Sequence, residues 1–344
     1  MVTNKLVDEE SKVIYEARCA YMKEKDYIKF WNRIKNIQKE WKIYDKCFDF
    51  IYKGYTDKRE IIIYGCGLYG IHTKIALETC GVRVSFFCDS DANLKGTIQY
   101  GLEVISPELL CQHHKDAVVI IATKKYGNEI YNTITSLGFP ANNIVIPEEG
   151  IIRAFCGNQY FDYFTPESDE VFVDAGAYDG ETTLEFARWT NNKYAAVYAL
   201  EPFEAVKSLL EEKVRGMENV TIVYKAAWNQ DEVLHFGGDP KAFEINGGDA
   251  TVVGVKIDDI VGGGGQAEKV TFIKMDIEGS EYQALLGAEK TIKSYKPKLA
   301  ICLYHKEDDI IRLPNLIEKM VPDYKYAIRH YSSGLIETVL YAWI

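Results

Sequence analysis

Short apolar runs alternate with stretches of helical spacing over most of this chain. Between residues 59 and 147 the runs fall at Ile61–Tyr64, 82–88, 117–122 and 144–146. Such alternation predicts a parallel sheet with crossover helices, a small Rossmann-like α/β domain over 59–150. The rhythm returns further on, and strands are expected near 171–175, 194–201, 220–226, 270–276, 298–304, 324–330 and 337–343. The last two read as a hairpin-like pair closing a parallel sheet. Residues 8–53 differ: they contain no proline or glycine, and Tyr27, Trp31, Ile34, Ile37, Trp41, Tyr44, Phe48 and Ile51 recur three or four apart. That period predicts a helical segment over 1–58, its apolar face packed on the domain that follows. Self-association into a homo-oligomer is the alternative use of that face. Residues 151–170 carry Gly157, Pro166 and several aromatics without a long period, which predicts a linker packed down by the aromatics of 160–163.

Where the expected strands end, the chain places acids and glycines. The run 171–173 leads into Asp174-Ala-Gly176-Ala-Tyr178-Asp179-Gly180, followed by a helical pattern. This is a β-turn-α element whose glycines let backbone approach a nucleotide-like ligand and whose helix N–H groups can bind an anion. Without a ligand, the same residues make a strand-to-helix turn with Asp179 near a helix N-terminus. The strand that follows ends in Glu201-Pro202, where a carboxylate can accept both hydroxyls of a ribose. The strand near 270–276 delivers Asp276-Ile-Glu278-Gly-Ser-Glu281, and the one near 298–304 ends at His305. In open α/β sheets ligands bind at the carboxyl ends of the strands, so these groups belong on one edge.

The loop 173–183, the pair Glu201-Pro202, the stretch Lys274-Met-Asp276-Ile-Glu278-Gly-Ser-Glu281 and the run 296–305 together resemble the FkbM family of S-adenosylmethionine-dependent methyltransferases. The resemblance spans roughly residues 160–344. It implies a class I methyltransferase domain with a Rossmann-like seven-stranded sheet over 171–344, and S-adenosyl-L-methionine as cofactor. It further implies an O-methyltransferase acting on a small-molecule or glycan acceptor, with sugar hydroxyls prominent. On this reading Asp174, Gly176, Tyr178, Asp179, Gly180 and Glu201 hold the cofactor, and Ala227, taken with Ala226 as the end of the third strand, neighbours the adenine. An alcohol acceptor benefits from a general base or from a metal that lowers its pKa. His305, whose ordinary pKa lies near operating pH, is the expected base, with Asp276 and Glu278 beside the transferable methyl. Glu278 and Glu281 would otherwise stabilise a helix N-terminus, and Lys274 is either a charge partner or a solvent-facing stem. No dedicated metal-ligand spacing is present, so metal stays unassigned.

The smaller domain has its own motif. Gly65-Cys-Gly67-Leu-Tyr-Gly70 follows its first strand, and its second ends at Asp89, matching the dinucleotide fingerprint in spacing. Only one nucleotide-binding half fits, which argues against a full NAD site. The domain resembles small Rossmann-like domains beside sugar acyltransferases and some FkbM methyltransferases, which implies a nucleotide or nucleotide sugar at Gly65, Gly67, Gly70 and Asp89. The competing reading is a purely structural glycine turn. Two further functional alternatives are a non-catalytic nucleotide-sugar-binding sensor and an NAD-linked sugar-modifying oxidoreductase.

Composition narrows the partners. The chain has 344 residues, 47% hydrophobic, with a formal net charge of −11. That charge opposes the phosphate-driven attraction of nucleic-acid binding. No apolar run approaches a membrane span and residues 1–11 lack signal-peptide features, so a cytoplasmic protein is expected. The eight cysteines are scattered without CxxC pairs and read as reduced thiols. The glycine-rich stretch 229–269 reads as loops and short strands, with the run 262–265 as a connection.

Overall fold

The computed structural model of the chain describes residues 2–37, 40–239, 242–245, 250–262 and 269–344. The chain divides into two units, one of residues 38–157 with 332–334, the other of residues 1–37, 158–331 and 335–344.

In the first unit, β1 (Lys42–Ile43) pairs antiparallel with β8 (Ala154–Phe155). The main sheet holds β2 (Ile61–Tyr64), β3 (Phe86–Cys88), β4 (Ile98–Gln99), β5 (Leu102–Ile105), β6 (Val118–Ile121) and β7 (Ile144–Val145), in the order β4-β5-β3-β2-β6-β7. All pairings are parallel except that of β4 with β5. The central β2 and β6 are buried at every position, which explains their unbroken apolar runs.

In the second unit, β9 (Val171–Ala175), β10 (Ala196–Leu200), β11 (Val220–Val223), β16 (Phe272–Met275), β17 (Lys298–Cys302), β18 (Lys325–His330) and β19 (Thr338–Trp343) form a seven-stranded sheet. The order is β11-β10-β9-β16-β17-β19-β18, with β19 antiparallel to both neighbours, the expected terminal pair. From β9 the chain first builds outward through β10 and β11, then returns to the other side of β9 with β16 and β17. The order therefore reverses between β9 and β16, and the carboxyl ends of strands at such a reversal are where open α/β sheets bind ligands. The core beneath is aromatic: Phe172 stacks on Phe186 with ring centroids 4.3 Å apart, and Phe161, Phe164 and Phe272 surround them. Phe161 and Phe164 show the segment 158–164 joining this core.

Three expectations need correction. The helices Glu9–Glu24 and Tyr27–Ile34 pack within the second unit instead of on the domain that follows them in sequence. Leu6 bridges to Tyr326, the Ser11 hydroxyl accepts from Ile328 N at 2.9 Å, and Arg18 donates to the carbonyl oxygens of Leu303 and Leu335. Tyr27, Phe30, Trp31 and Ile34 are buried there, so the apolar face proposed for self-association is used inside the unit. Second, the helical period does not run unbroken to residue 51. It stops after Ile34 and resumes at Phe48–Thr56, because Lys42 and Ile43 pair with β8, more than a hundred residues away in sequence. Third, β11 ends at Val223, and Ala226–Ala227 is a separate strand, β12. It joins β13 (Val233–Asp239), β14 (Ala242–Ile245) and β15 (Ala250–Val255), short strands of the kind expected in that stretch, in a four-stranded sheet. Gly247, Gly248 and Gly263 to Gly265 lie outside the described residues.

Candidate active site

The first loop is shaped from beneath by a buried ion pair. Lys274, on β16, and Asp174, on β9, sit side by side in register, with Nζ 3.0 Å from Oδ1. Thr183 donates to the other carboxylate oxygen at 2.7 Å, and Lys274 also donates to the carbonyl of Gly176 at 2.7 Å. Burial works against the charge on Lys274, but Asp174 and Asp276 outweigh it and its pKa is raised. Lys274 is thus a charge partner and no solvent-facing stem. Asp174, fully buried with both oxygens engaged, supports the loop from within and offers no free carboxylate outward.

Above this pair the backbone turns through Gly176, at φ +82°, where an added Cβ would lie 1.9 Å from the carbonyl oxygen of Asp276. Only glycine fits both the angle and the contact. The loop after β9 and the tip of β16 therefore touch. Gly180, at φ +86°, opens the helix Glu181–Trp189, and Asp179 accepts from Glu181 N at 3.1 Å and from Lys213 Nζ at 2.9 Å. Asp179 thus also fills the helix-terminus role.

Glu201 ends β10 against the same loop. One carboxylate oxygen accepts from Tyr178 N and the other from Phe203 N, each at 2.9 Å. Burial pushes its pKa up, with the two N–H groups opposing. Each oxygen has a lone pair left, the acceptor pattern two vicinal hydroxyls require. Tyr178, next to it, is held at φ +47° and is exposed. Ala227 lies away from the end of β11, its register partner being Val255 on β15.

Across the contact with Gly176 lies a second cluster. Asp276 follows β16 and accepts from Tyr160 Oη at 2.7 Å and Tyr304 Oη at 3.0 Å. His305, one residue past Tyr304, puts Nε2 3.3 Å from Asp276 Oδ1 and 3.6 Å from Glu278 Oε2. Its Nδ1 is 2.8 Å from Glu281 Oε1, which also accepts from Ile277 N at 3.0 Å. Glu278 sits at φ +53° on the turn to the helix Glu281–Gly287. Burial raises Asp276, but Lys274 and His305 prevail and hold its carboxyl below the ordinary value. Burial pushes Glu278 up to about 7. For His305 burial is overcome by Glu281, Asp276 and Glu278, which lift it to about 9. The sequence singled out Asp276, Glu278 and His305, and the fold brings them together. It gave no sign of Tyr160, which arrives from 116 residues away, whereas Tyr304 was readable as the neighbour of His305.

In the other unit, Gly65 stands at φ +100°, and a Cβ on Gly70 would lie 1.9 Å from the carbonyl oxygen of Gly65, so both glycines have structural reasons. A Cβ on Gly67 would meet nothing within 4 Å. Asp89 Oδ2 accepts from Cys66 N at 3.1 Å, turning the acid onto the loop itself.

With this geometry in hand, comparison with known proteins is informative. Residues 174–326 match the family model of the methyltransferase FkbM domain. A methyltransferase FkbM from Methylobacillus flagellatus KT has a similar structure, with 20% identity and a TM-score of 0.51, covering 97% of this chain and 99% of that one. Weaker likenesses, each covering 52% of this chain, include an rRNA methylase from Streptococcus thermophilus (15% identity, TM-score 0.33, 87% of that chain). Another is a putative methyltransferase from Streptococcus mutans in complex with SAH (13% identity, TM-score 0.32, 90% of that chain). No curated protein matches.

Proposed function

We propose, from the match of residues 174–326 to the methyltransferase FkbM domain, that S-adenosylmethionine-dependent methyl transfer by this chain is directed to a hydroxyl of a sugar, on a glycan or a nucleotide-linked intermediate. When bound, the cofactor supplies a sulfonium methyl that passes to an acceptor oxygen as the carbon–sulfur bond breaks. The residues present fit that group: Glu201, with one backbone N–H on each carboxylate oxygen, retains acceptor capacity for two ribose hydroxyls.

The observation that carries the reading is the contact between Gly176 and Asp276 at the reversal of strand order. That contact favours reading the loop after β9 and the Asp276–Glu278–His305 cluster as two sides of one site, as an in-line displacement requires. Three carboxylates, Asp276, Glu278 and Glu281, and the Tyr304 hydroxyl make a polar wall suited to hydrogen-bonding a polyhydroxylated acceptor and to taking the proton its oxygen loses. Lifted to about 9, His305 is not the base expected from the sequence but the group that orients these carboxylates, so His305→Ala should separate binding from turnover: donor affinity by calorimetry stays at the wild-type value, while methyl transfer slows. Full turnover in this variant would remove His305 from the reaction.

A second ligand, a nucleotide or nucleotide sugar at Gly65, Gly67, Gly70 and Asp89, is favoured by one observation. Gly67 opens the twelve-residue helix Leu68–Thr79 without a side-chain cap and with open space where its Cβ would stand. Those are the conditions for close approach of a phosphate.

A further inference from the structure

We propose that the cluster at the end of β16 binds a divalent cation, with Asp276, Glu278 and His305 Nε2 as its protein ligands and Glu281 as the group that orients the imidazole. The proposal rests on the reading of this sheet edge as the acceptor site and adds to it what holds the acceptor oxygen. Three observations carry it. The His305 side chain is only 7% exposed, yet its Nε2 has no hydrogen-bond partner. That atom is aimed between two carboxylates at 3.3 and 3.6 Å, close to the separation of about 3 Å between adjacent ligand atoms around a small divalent ion. Finally, Nδ1 is fixed by Glu281 Oε1, the carboxylate–histidine arrangement that presents the other nitrogen to a metal. Asp276, Glu281 and His305 also offer ligand atoms that all lie within 4.8 Å of one another, close enough for acids and imidazole to gather around one ion. Asp276, Glu278 and Glu281 set three carboxylates around one imidazole. Glu278 and Asp276 keep 31% and 25% of their side chains exposed, leaving a face of the ion open to an acceptor hydroxyl. Oxygen-rich sites with one imidazole suit manganese, magnesium or ferrous iron.

The test uses the full-length protein, stripped with chelator and titrated with Mn²⁺, bound ion being read by electron paramagnetic resonance. Wild type should bind one Mn²⁺. Glu278→Gln and His305→Gln should each weaken that binding by more than the roughly 10–100-fold that losing an orienting partner costs. S-adenosylmethionine affinity, measured by calorimetry on the same samples, should be unchanged. No Mn²⁺ bound to wild type at about 1 mM, or equal binding in both variants, overturns the proposal. If His305→Gln does not fold, the partly exposed Glu278→Gln decides alone. Mn²⁺ binding that is lost in the variants while wild type binds no S-adenosylmethionine supports the cation site and refutes the donor-site reading.

Discussion

Lys274 and Asp174 are the residues on which the donor loop depends, and they make a sharp test. Both are almost wholly buried, and the lysine also ties down the carbonyl oxygens of Ala175 and Gly176. Lys274→Met would leave Asp174 charged and unpaired in the core, a change that typically costs about 3–5 kcal/mol. Urea denaturation should show that loss, and the double variant Lys274→Met with Asp174→Asn should recover much of it. Glu201→Ala tests the ribose contact. Removing a two-point charged interaction should weaken S-adenosylmethionine binding by about 2–4 kcal/mol in calorimetry, and an unchanged affinity would show that the ribose lies elsewhere. Glu201 was legible because an acid and a proline end an apolar strand. The Lys274–Asp174 pair was not, because a lysine inside a hydrophobic run carries no local sign that its partner waits 100 residues upstream.

At the scale of elements, the strands were legible from their apolar runs, and the acids at their ends followed from strand direction. The N-terminal helices were legible as helices but not in their destination, since an apolar stripe does not say which sheet will cover it. What decides is polar: Asp8 caps the helix Glu9–Glu24 through Ser11 N at 2.9 Å and pairs with Arg329 on β18 at 2.8 Å. Asp8→Asn should keep the cap and lose the ion pair. Burial raises the Asp8 pKa, but hydrogen bonds from Arg329 and Ser11 prevail and lower it from 3.8. A depressed carboxyl contributes stability above its unfolded value and loses it as pH falls through the folded one. The wild type should therefore exceed Asp8→Asn by up to about 1 kcal/mol at neutral pH, the pair being partly exposed. That gap should close well below pH 3.8. A gap independent of pH in chemical denaturation would mean that the pair contributes nothing.

For the whole molecule, the sheet order explains why so much of the site could be read in advance. Reversal of strand order between β9 and β16 brings together two acid-tipped loops that lie about a hundred residues apart in sequence, and each loop bears its own glycine signature. The excursion between β12 and β15 had no such signature, because its strands find one another through hairpin register, with β13 antiparallel to both β14 and β15. The smaller unit allows a separate check on the intact chain. If Gly67 admits a phosphate, Gly67→Val should abolish binding of nucleotide sugars while leaving S-adenosylmethionine affinity intact, as read by calorimetry. No described helix is long and apolar enough to cross a membrane. The most direct test of the central claim is to incubate the protein with methyl-labelled S-adenosylmethionine and a panel of nucleotide sugars and glycans, with mass spectrometry reading the products. Label on a sugar oxygen with wild type, and none with Glu201→Ala, is the predicted result. Label on no hydroxyl-bearing acceptor, or label that persists undiminished in Glu201→Ala, would contradict it.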